Sequence, residues 1–129
     1  DEVKREVKFQ DSRFDVMAKN DKETCFIEVK NVTMKDGEFA LFPDAKTERG
    51  RKHLETLIRV KAEGLRAVMF YVVQRMDVAK AGPAVDIDPV YADVLKKAID
   101  SGVEVIAMQA EVTPDGIDLV KEVPFQWPH

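Results

Sequence analysis

A single cysteine, Cys25, serves all 129 residues, so no internal disulfide is available and a reducing cytoplasm is the expected setting. With only His53 and His129 to add to it, the chain also lacks the ligands of a standard structural zinc site. No apolar run reaches the roughly 18 residues of a membrane span, and no signal peptide opens the sequence, so no membrane partner is expected. The first residue is Asp1 rather than Met, which suggests a processed product or an excised domain. Internal repeats and low-complexity tracts are absent too.

What is present describes an ordinary globular chain: 45% hydrophobic and 34% charged residues exclude a disordered one. The length suits one domain with a real core. A net charge of -4 argues against a protein that coats nucleic acid with its whole surface. The charge is uneven, however. Residues 46–66 hold seven basic side chains (Lys46, Arg49, Arg51, Lys52, Arg59, Lys61, Arg66) against Glu48, Glu55 and Glu63. That segment is +4, so the remainder is -8. A solvated helix face with i,i+4 pairs such as Glu55 and Arg59 is the reading that composition alone favours.

The first third reads as strands at 6–9, 13–17 and 24–32, rich in Val, Phe and Ile and split by polar turns. Lys19-Asn20-Asp21-Lys22 is the hairpin turn between the second and third. Asp36-Gly37 marks another turn, and Phe42-Pro43-Asp44 ends the strand region. A helix follows from about 47 or 50 to 63, with Leu54, Leu57 and Ile58 as its apolar stripe and Gly64 as its stop. The near-continuous apolar run at 66–73 is expected to be a strand buried on both faces. After a Gly82-Pro83 loop, Asp88 caps a second helix with Pro89 at its first position. Gly102 closes it, a buried strand covers 103–110, and Thr113-Pro114-Asp115-Gly116 turns into a short strand at 117–120. The order β-β-β-α-β-α-β-β implies a mixed sheet with helices packed on its faces.

Alternation in the third strand sends Glu28 and Lys30 to one side with Phe26 and Val32, and Cys25, Ile27 and Val29 to the other. Asp15 lies on the neighbouring strand of the hairpin. A two-residue loop at Asp21-Lys22 sets it directly opposite Glu28, and a four-residue loop makes the two diagonal neighbours. Either register brings the carboxylates to one face, about 5–8 Å apart at Cβ. Carboxylates that close repel unless something positive intervenes, and Lys30 or a divalent cation would serve. Glu-x-Lys alone is weak, since Glu2-Val3-Lys4 and Glu6-Val7-Lys8 match it too. Position in a central apolar strand, with an acid across the hairpin, is what distinguishes Glu28 and Lys30. The alternative is a structural ion pair between them on an edge strand.

Several stretches carry a resemblance: Ser12-Arg13-Phe14-Asp15, Cys25-Phe26-Ile27-Glu28-Val29-Lys30-Asn31-Val32-Thr33, Phe42-Pro43-Asp44-Ala45, Thr47-Glu48-Arg49-Gly50 and Lys52-His53-Leu54. With Val73-Gln74-Arg75 and Val123-Pro124-Phe125, they resemble the sugar fermentation stimulation protein A family over nearly the whole chain. The resemblance implies an α/β fold with a PD-(D/E)xK restriction-endonuclease-like core. It also implies a single nuclease-like domain over 1–129, as a C-terminal fragment without the family's N-terminal OB-like domain. Asp15, Glu28 and Lys30 match the nuclease signature, although Phe14 stands where the proline of the "PD" pair is usual.

Each residue then has an expected role. Asp15, Glu28 and the Val29 carbonyl would hold Mg²⁺ or Mn²⁺, and Lys30 would act on the water or the phosphate. Lys46, Thr47, Arg49, Arg51, Lys52 and His53 are the candidate nucleic-acid contacts, at a helix start whose N–H groups suit phosphate. Asp44, Glu48 and Gln74 are candidates for support, while capping explains Asp44 or Thr47 as readily. Asp86 and Asp88 resemble a metal pair, but Asp88 is better explained as a cap. Phe125 and Trp127 are read as closing the core rather than stacking bases. The expected function is a Mg²⁺-dependent nuclease-type domain acting on nucleic acid, with DNA favoured over RNA. The alternative is a non-catalytic DNA-binding module of nuclease fold in the regulation of sugar metabolism. A third reading, a domain that binds protein only, makes the basic face incidental. The oligomeric state is left open.

Overall fold

The computed structural model describes residues 2–9 and 12–128, with the side chains of 8, 9, 12 and 13 left aside; Asp1 and His129 lie outside the described residues. Its central strands are those with the strongest apolar patterns: β3 (Thr24–Val32), β6 (Arg66–Val73) and β8 (Glu104–Thr113) run parallel, side by side. On one flank β2 (Ser12–Lys19) and β1 (Glu2–Phe9) add antiparallel, and on the other β9 (Gly116–Glu122) does the same. The six-stranded order is β1-β2-β3-β6-β8-β9. Glu28 and Lys30 thus sit on an interior strand, which removes the edge-strand reading.

A second sheet of three strands, β4 (Met34–Asp36), β5 (Phe39–Phe42) and β7 (Lys80–Pro83), was not expected from the sequence. Gly82-Pro83 is therefore strand and not loop. A Cβ at Gly82 would lie 2.1 Å from the Gln126 carbonyl oxygen, so glycine there serves a close backbone approach. The C-terminal segment binds across β7 through Ala81 N–H to the Pro124 carbonyl (2.9 Å) and Gln126 N–H to the Ala81 carbonyl (2.8 Å). It stacks Phe125 on Tyr71, with ring centroids 5.0 Å apart. As expected, the C-terminal aromatics close a core.

The parallel connections β3-α1-β6 and β6-α2-β8 step across the sheet in one direction. Right-handed crossovers then place both helices on one face. One apolar cluster joins Leu54, Leu57 and Val60 of α1 (Glu48–Ala62) and Tyr91, Leu95 and Ala98 of α2 (Pro89–Asp100) to Phe26, Met69, Tyr71 and Ala107 of the sheet. On the opposite face Val68 and Val72 are buried but Phe70, Ile106 and Met108 are only half-buried. The apolar run of β6 thus reflects one helix-covered face and one partly open one.

The helix starts are tied together. Thr47 caps α1 by accepting from Gly50 N–H at 2.9 Å, and Asp88 caps α2 by accepting from Tyr91 N–H at 3.0 Å. Asp88 is fully buried, and it also accepts from Thr47 N–H (2.9 Å) and from the Arg51 guanidinium (2.9 and 3.3 Å). Burial works against its charge, yet these donors hold its carboxyl below the usual range. Asp88→Ala strands all of them. A loss of about 2 kcal/mol is expected, read as a lower urea midpoint at unchanged m-value; an unmoved midpoint would show that the two helix starts hold without it.

Candidate active site

The β2–β3 hairpin places the first acid. Its loop runs over Asn20 to Glu23, closed by Asn20 Oδ1 accepting from the Lys22 and Glu23 amides at 2.8 and 2.9 Å. The pairing Val16↔Ile27, Met17↔Phe26, Ala18↔Cys25, Lys19↔Thr24 has the register of the tighter loop. A four-residue loop centred on Asp21-Lys22 leaves that register unchanged, so Asp15 continues toward Glu28 and is not displaced diagonally.

Beyond Val16 the ladder opens. Val29 N–H donates to Asp15 Oδ2 at 2.9 Å, so a carboxylate takes the place of a ladder carbonyl. The β1–β2 pairing also skips the Glu6 and Asp15 positions, and Glu6 has φ 52. Strict alternation would separate Phe14 from Met17, yet both are buried in the same cluster, and Phe14 packs on Phe26 at 5.2 Å. The strand is locally distorted where it delivers Asp15.

Glu28 is the buried member, with its side chain 2% exposed. Burial, reinforced by the Asp15 carboxylate beside it, raises its pKa to about 8 against the pull of Lys30. Burial works against Asp15 as well, but the hydrogen bonds from Glu28 and the Val29 amide, with the Lys30 charge, hold it below its ordinary value. At neutral pH the free pair therefore shares one proton, with Glu28 the weaker acid of the two. Its Oε2 has no hydrogen-bond partner among the described residues.

Above the strand, α1 contributes His53. Its Nδ1 lies 2.7 Å from Lys30 Nζ and 3.2 Å from Glu28 Oε2. Burial, with the Lys30 and Arg49 charges, lowers its pKa to about 4, so the ring is neutral. The contact with Glu28 is not an ion pair. Burial lowers the pKa of Lys30 too, with Arg49 adding to the shift and both carboxylates opposing it.

Asp15, Glu28, Lys30 and His53 are thus brought together, with Val29 tied to Asp15 and Arg49 near enough to act through its charge. Lys46, Glu48 and Lys52 are exposed at the start of α1, with Asp44 exposed just ahead of it, while Thr47 is the cap. Arg51, expected to face a phosphate, has its guanidinium committed to Asp88. Gln74 Nε2 donates to Asn31 Oδ1 at 2.9 Å, on a side chain that alternation along β3 sends to the face opposite Glu28. A hollow of about 280 Å³ lined by Ala18, Cys25, Ile27 and Arg66 shares no residue with this cluster.

Among the described residues no group of three or more His, Cys, Asp or Glu side chains is arranged to hold a metal ion alone. Two carboxylates, one with a buried oxygen lacking a donor, instead suit a hard cation that retains several waters.

Comparison with known proteins gives one consistent family. A family model described as "Sugar fermentation stimulation protein RE domain" matches residues 1–116. The sugar fermentation stimulation protein homolog of Pelobacter propionicus is 48% identical over 125 residues, 96% of this chain and 54% of its own. That of Paramagnetospirillum magneticum is 52% identical over 122 residues, covering 92% and 51%. Among solved structures, "The structure of Pyrococcus Furiosus SfsA in complex with Ca2+" superposes with a TM-score of 0.89 at 31% identity, over 95% of this chain and 54% of that one. The chain spans about half the length of these relatives.

Proposed function

The chain belongs to the sugar fermentation stimulation protein family, and from that premise we propose that it is a nuclease-type domain that binds DNA and hydrolyses phosphodiester bonds with Mg²⁺ or Mn²⁺. One observation carries the reading: Glu28 Oε2 is buried without a donor, beside Asp15 and facing a second acceptor, His53 Nδ1. A structural ion-pair network would have filled that position. The Ca²⁺ complex of the Pyrococcus relative supports an affinity for oxygen-loving divalent ions.

Asp15, Glu28 and the Val29 carbonyl would hold the ion. When bound, the ion supplies a water of lowered pKa and positive charge at the scissile phosphate. Asp15, by accepting from the Val29 N–H, holds β3 against its own carboxylate at the residue whose carbonyl would be the third ligand. Lys30, half-buried and therefore poorly screened, stabilises charge gathering on the phosphate oxygens. The alternative, a non-catalytic DNA-binding module in the regulation of sugar metabolism, is favoured only by the family's descriptive name.

Protonation supplies a test. Below pH about 8 the free protein carries a proton on Glu28 that a cation must displace. Mn²⁺ affinity measured by calorimetry is expected to rise about tenfold per pH unit up to about pH 8 and then level. A flat profile would place the ion elsewhere. In the metal-free chain the raised Glu28 pKa makes stability fall as pH rises from 4.5 through about 8. The lowered His53 pKa acts oppositely: its contribution is present above 6.5 and lost as pH falls through about 4.

DNA would dock along the exposed Lys46, Arg49 and Lys52, the only strongly basic segment of an acidic chain. Arg51 is set aside because it serves Asp88. Each phosphate contact contributes about 0.9 to the slope of log K against log salt for duplex DNA. Changing Lys46, Arg49 and Lys52 together to Gln should weaken binding at low salt and flatten the slope by up to about three units, with sequence preference unchanged. Parental affinity and slope would leave this face a solvated surface.

A further inference from the structure

We infer that His53 is the positioning residue of this centre: Nδ1 holds the Lys30 ammonium by a hydrogen bond, so that Lys30 is not consumed in an ion pair with Glu28 and Glu28 Oε2 stays open to a cation. This rests on the function proposed above but goes beyond the nucleic-acid contact expected of His53 from sequence.

The argument begins with a single nitrogen. An ammonium has only protons to offer, so at 2.7 Å from Lys30 Nζ the His53 Nδ1 must accept. Its lone pair is then used, and the ring proton resides on Nε2. The same Nδ1 cannot donate to Glu28 Oε2 at 3.2 Å, and that oxygen is indeed left without a partner. Two acceptors facing each other at that distance repel unless a proton or a cation lies at the carboxylate. The histidine therefore satisfies the lysine and keeps the glutamate unsatisfied.

Without it the outcome would differ. Glu28 and Lys30 share one face of β3, two residues apart, within reach of a long side chain. Yet among the described residues the ion pairs do not include Lys30. The support of His53 is rigid. It lies one turn into α1, whose start is fixed by the Thr47 cap and by Asp88 holding both Thr47 N–H and Arg51. Gly50 allows the close packing of that turn: a Cβ there would meet the Tyr91 ring at 3.2 Å and Thr47 Cγ2 at 2.8 Å.

His53→Ala removes the acceptor, and His53→Asn keeps one near the Nδ1 position. Three readouts are needed: steady-state cleavage of DNA with Mn²⁺, calorimetric Mn²⁺ affinity, and the Lys30 ammonium signal in ¹⁵N-lysine NMR. In His53→Ala we expect kcat to fall about 10–100-fold with KM for DNA within about twofold, on the scale of a hydrogen bond to a charged group. Mn²⁺ affinity should fall about tenfold as Lys30 turns to Glu28, and the slowly exchanging ammonium signal should be lost. His53→Asn should restore most of all three. If His53→Ala does not fold, His53→Leu removes the acceptor at similar volume. Unchanged kcat, Mn²⁺ affinity and ammonium signal overturn the inference; so does a raised KM at unchanged kcat, which would make His53 a DNA contact. If the parent cleaves no DNA, the proposed function fails, while the Mn²⁺ affinity and the ammonium signal still decide the role of His53.

Discussion

Lys30→Ala is expected to lower DNA hydrolysis by about 10²–10³-fold, the scale of removing one preorganised electrostatic group from a reacting centre. The effect should fall mainly on kcat, because charge on the phosphate oxygens grows between ground and transition state. The fold should survive. The ammonium is half-buried and bonded to His53, and its removal frees His53 Nδ1 to carry the ring proton and donate to Glu28 Oε2, 3.2 Å away. Equal loss of activity and of thermal midpoint would assign Lys30 a structural task. Full activity without Lys30 would remove it from the chemistry.

Asp15→Asn is expected to reduce Mn²⁺ and Mg²⁺ affinity by about two orders of magnitude or more, beyond calorimetric detection, because the site depends on few carboxylates. The variant is a sharp probe because the Asn side-chain oxygen can still accept the Val29 amide that Asp15 Oδ2 takes at 2.9 Å. The Val29 contact is then retained, while the charge and the acceptor facing the Glu28 carboxyl are lost. The substitution should also let the Glu28 pKa fall from about 8, since the neighbouring Asp15 carboxylate is one of the groups holding it up. Unchanged metal affinity in Asp15→Asn would remove the site as described.

The sequence was most legible where a periodic pattern is long. β3 and β6 lie at 24–32 and 66–73, as their apolar patterns predict, and both helices end at their glycines. The second sheet was hidden because β4, β5 and β7 have three or four residues each, too short for alternation to show. Gly82-Pro83 also carries the composition of a turn, while its glycine answers to the Gln126 backbone. Asp15 and Glu28 could be placed on one face from parity alone. The opened ladder that turns the Asp15 carboxylate onto Val29 N–H could not, because a local distortion has no periodicity. Arg51 and His53 exchanged importance for a tertiary reason. Both lie on the helix with the basic cluster, but the packing of α2 gives Arg51 to Asp88, and the packing of α1 on β3 gives His53 to Lys30. No spacing within one helix reports which neighbour lies above it.

The most direct test is cleavage of labelled single- and double-stranded DNA by the parent and by Glu28→Gln, with Mg²⁺, with Mn²⁺ and with chelator. Gln is the neutral isostere of the protonated carboxyl that Glu28 carries in the free protein at neutral pH, so the variant should fold as the parent does. Cleavage by the parent with either metal, none with chelator, and a loss of about 10²–10³-fold or more in Glu28→Gln is the predicted result. DNA binding by the parent without cleavage under any metal, or equal cleavage by parent and variant, would contradict a metal-dependent nuclease centre at Asp15, Glu28 and Lys30.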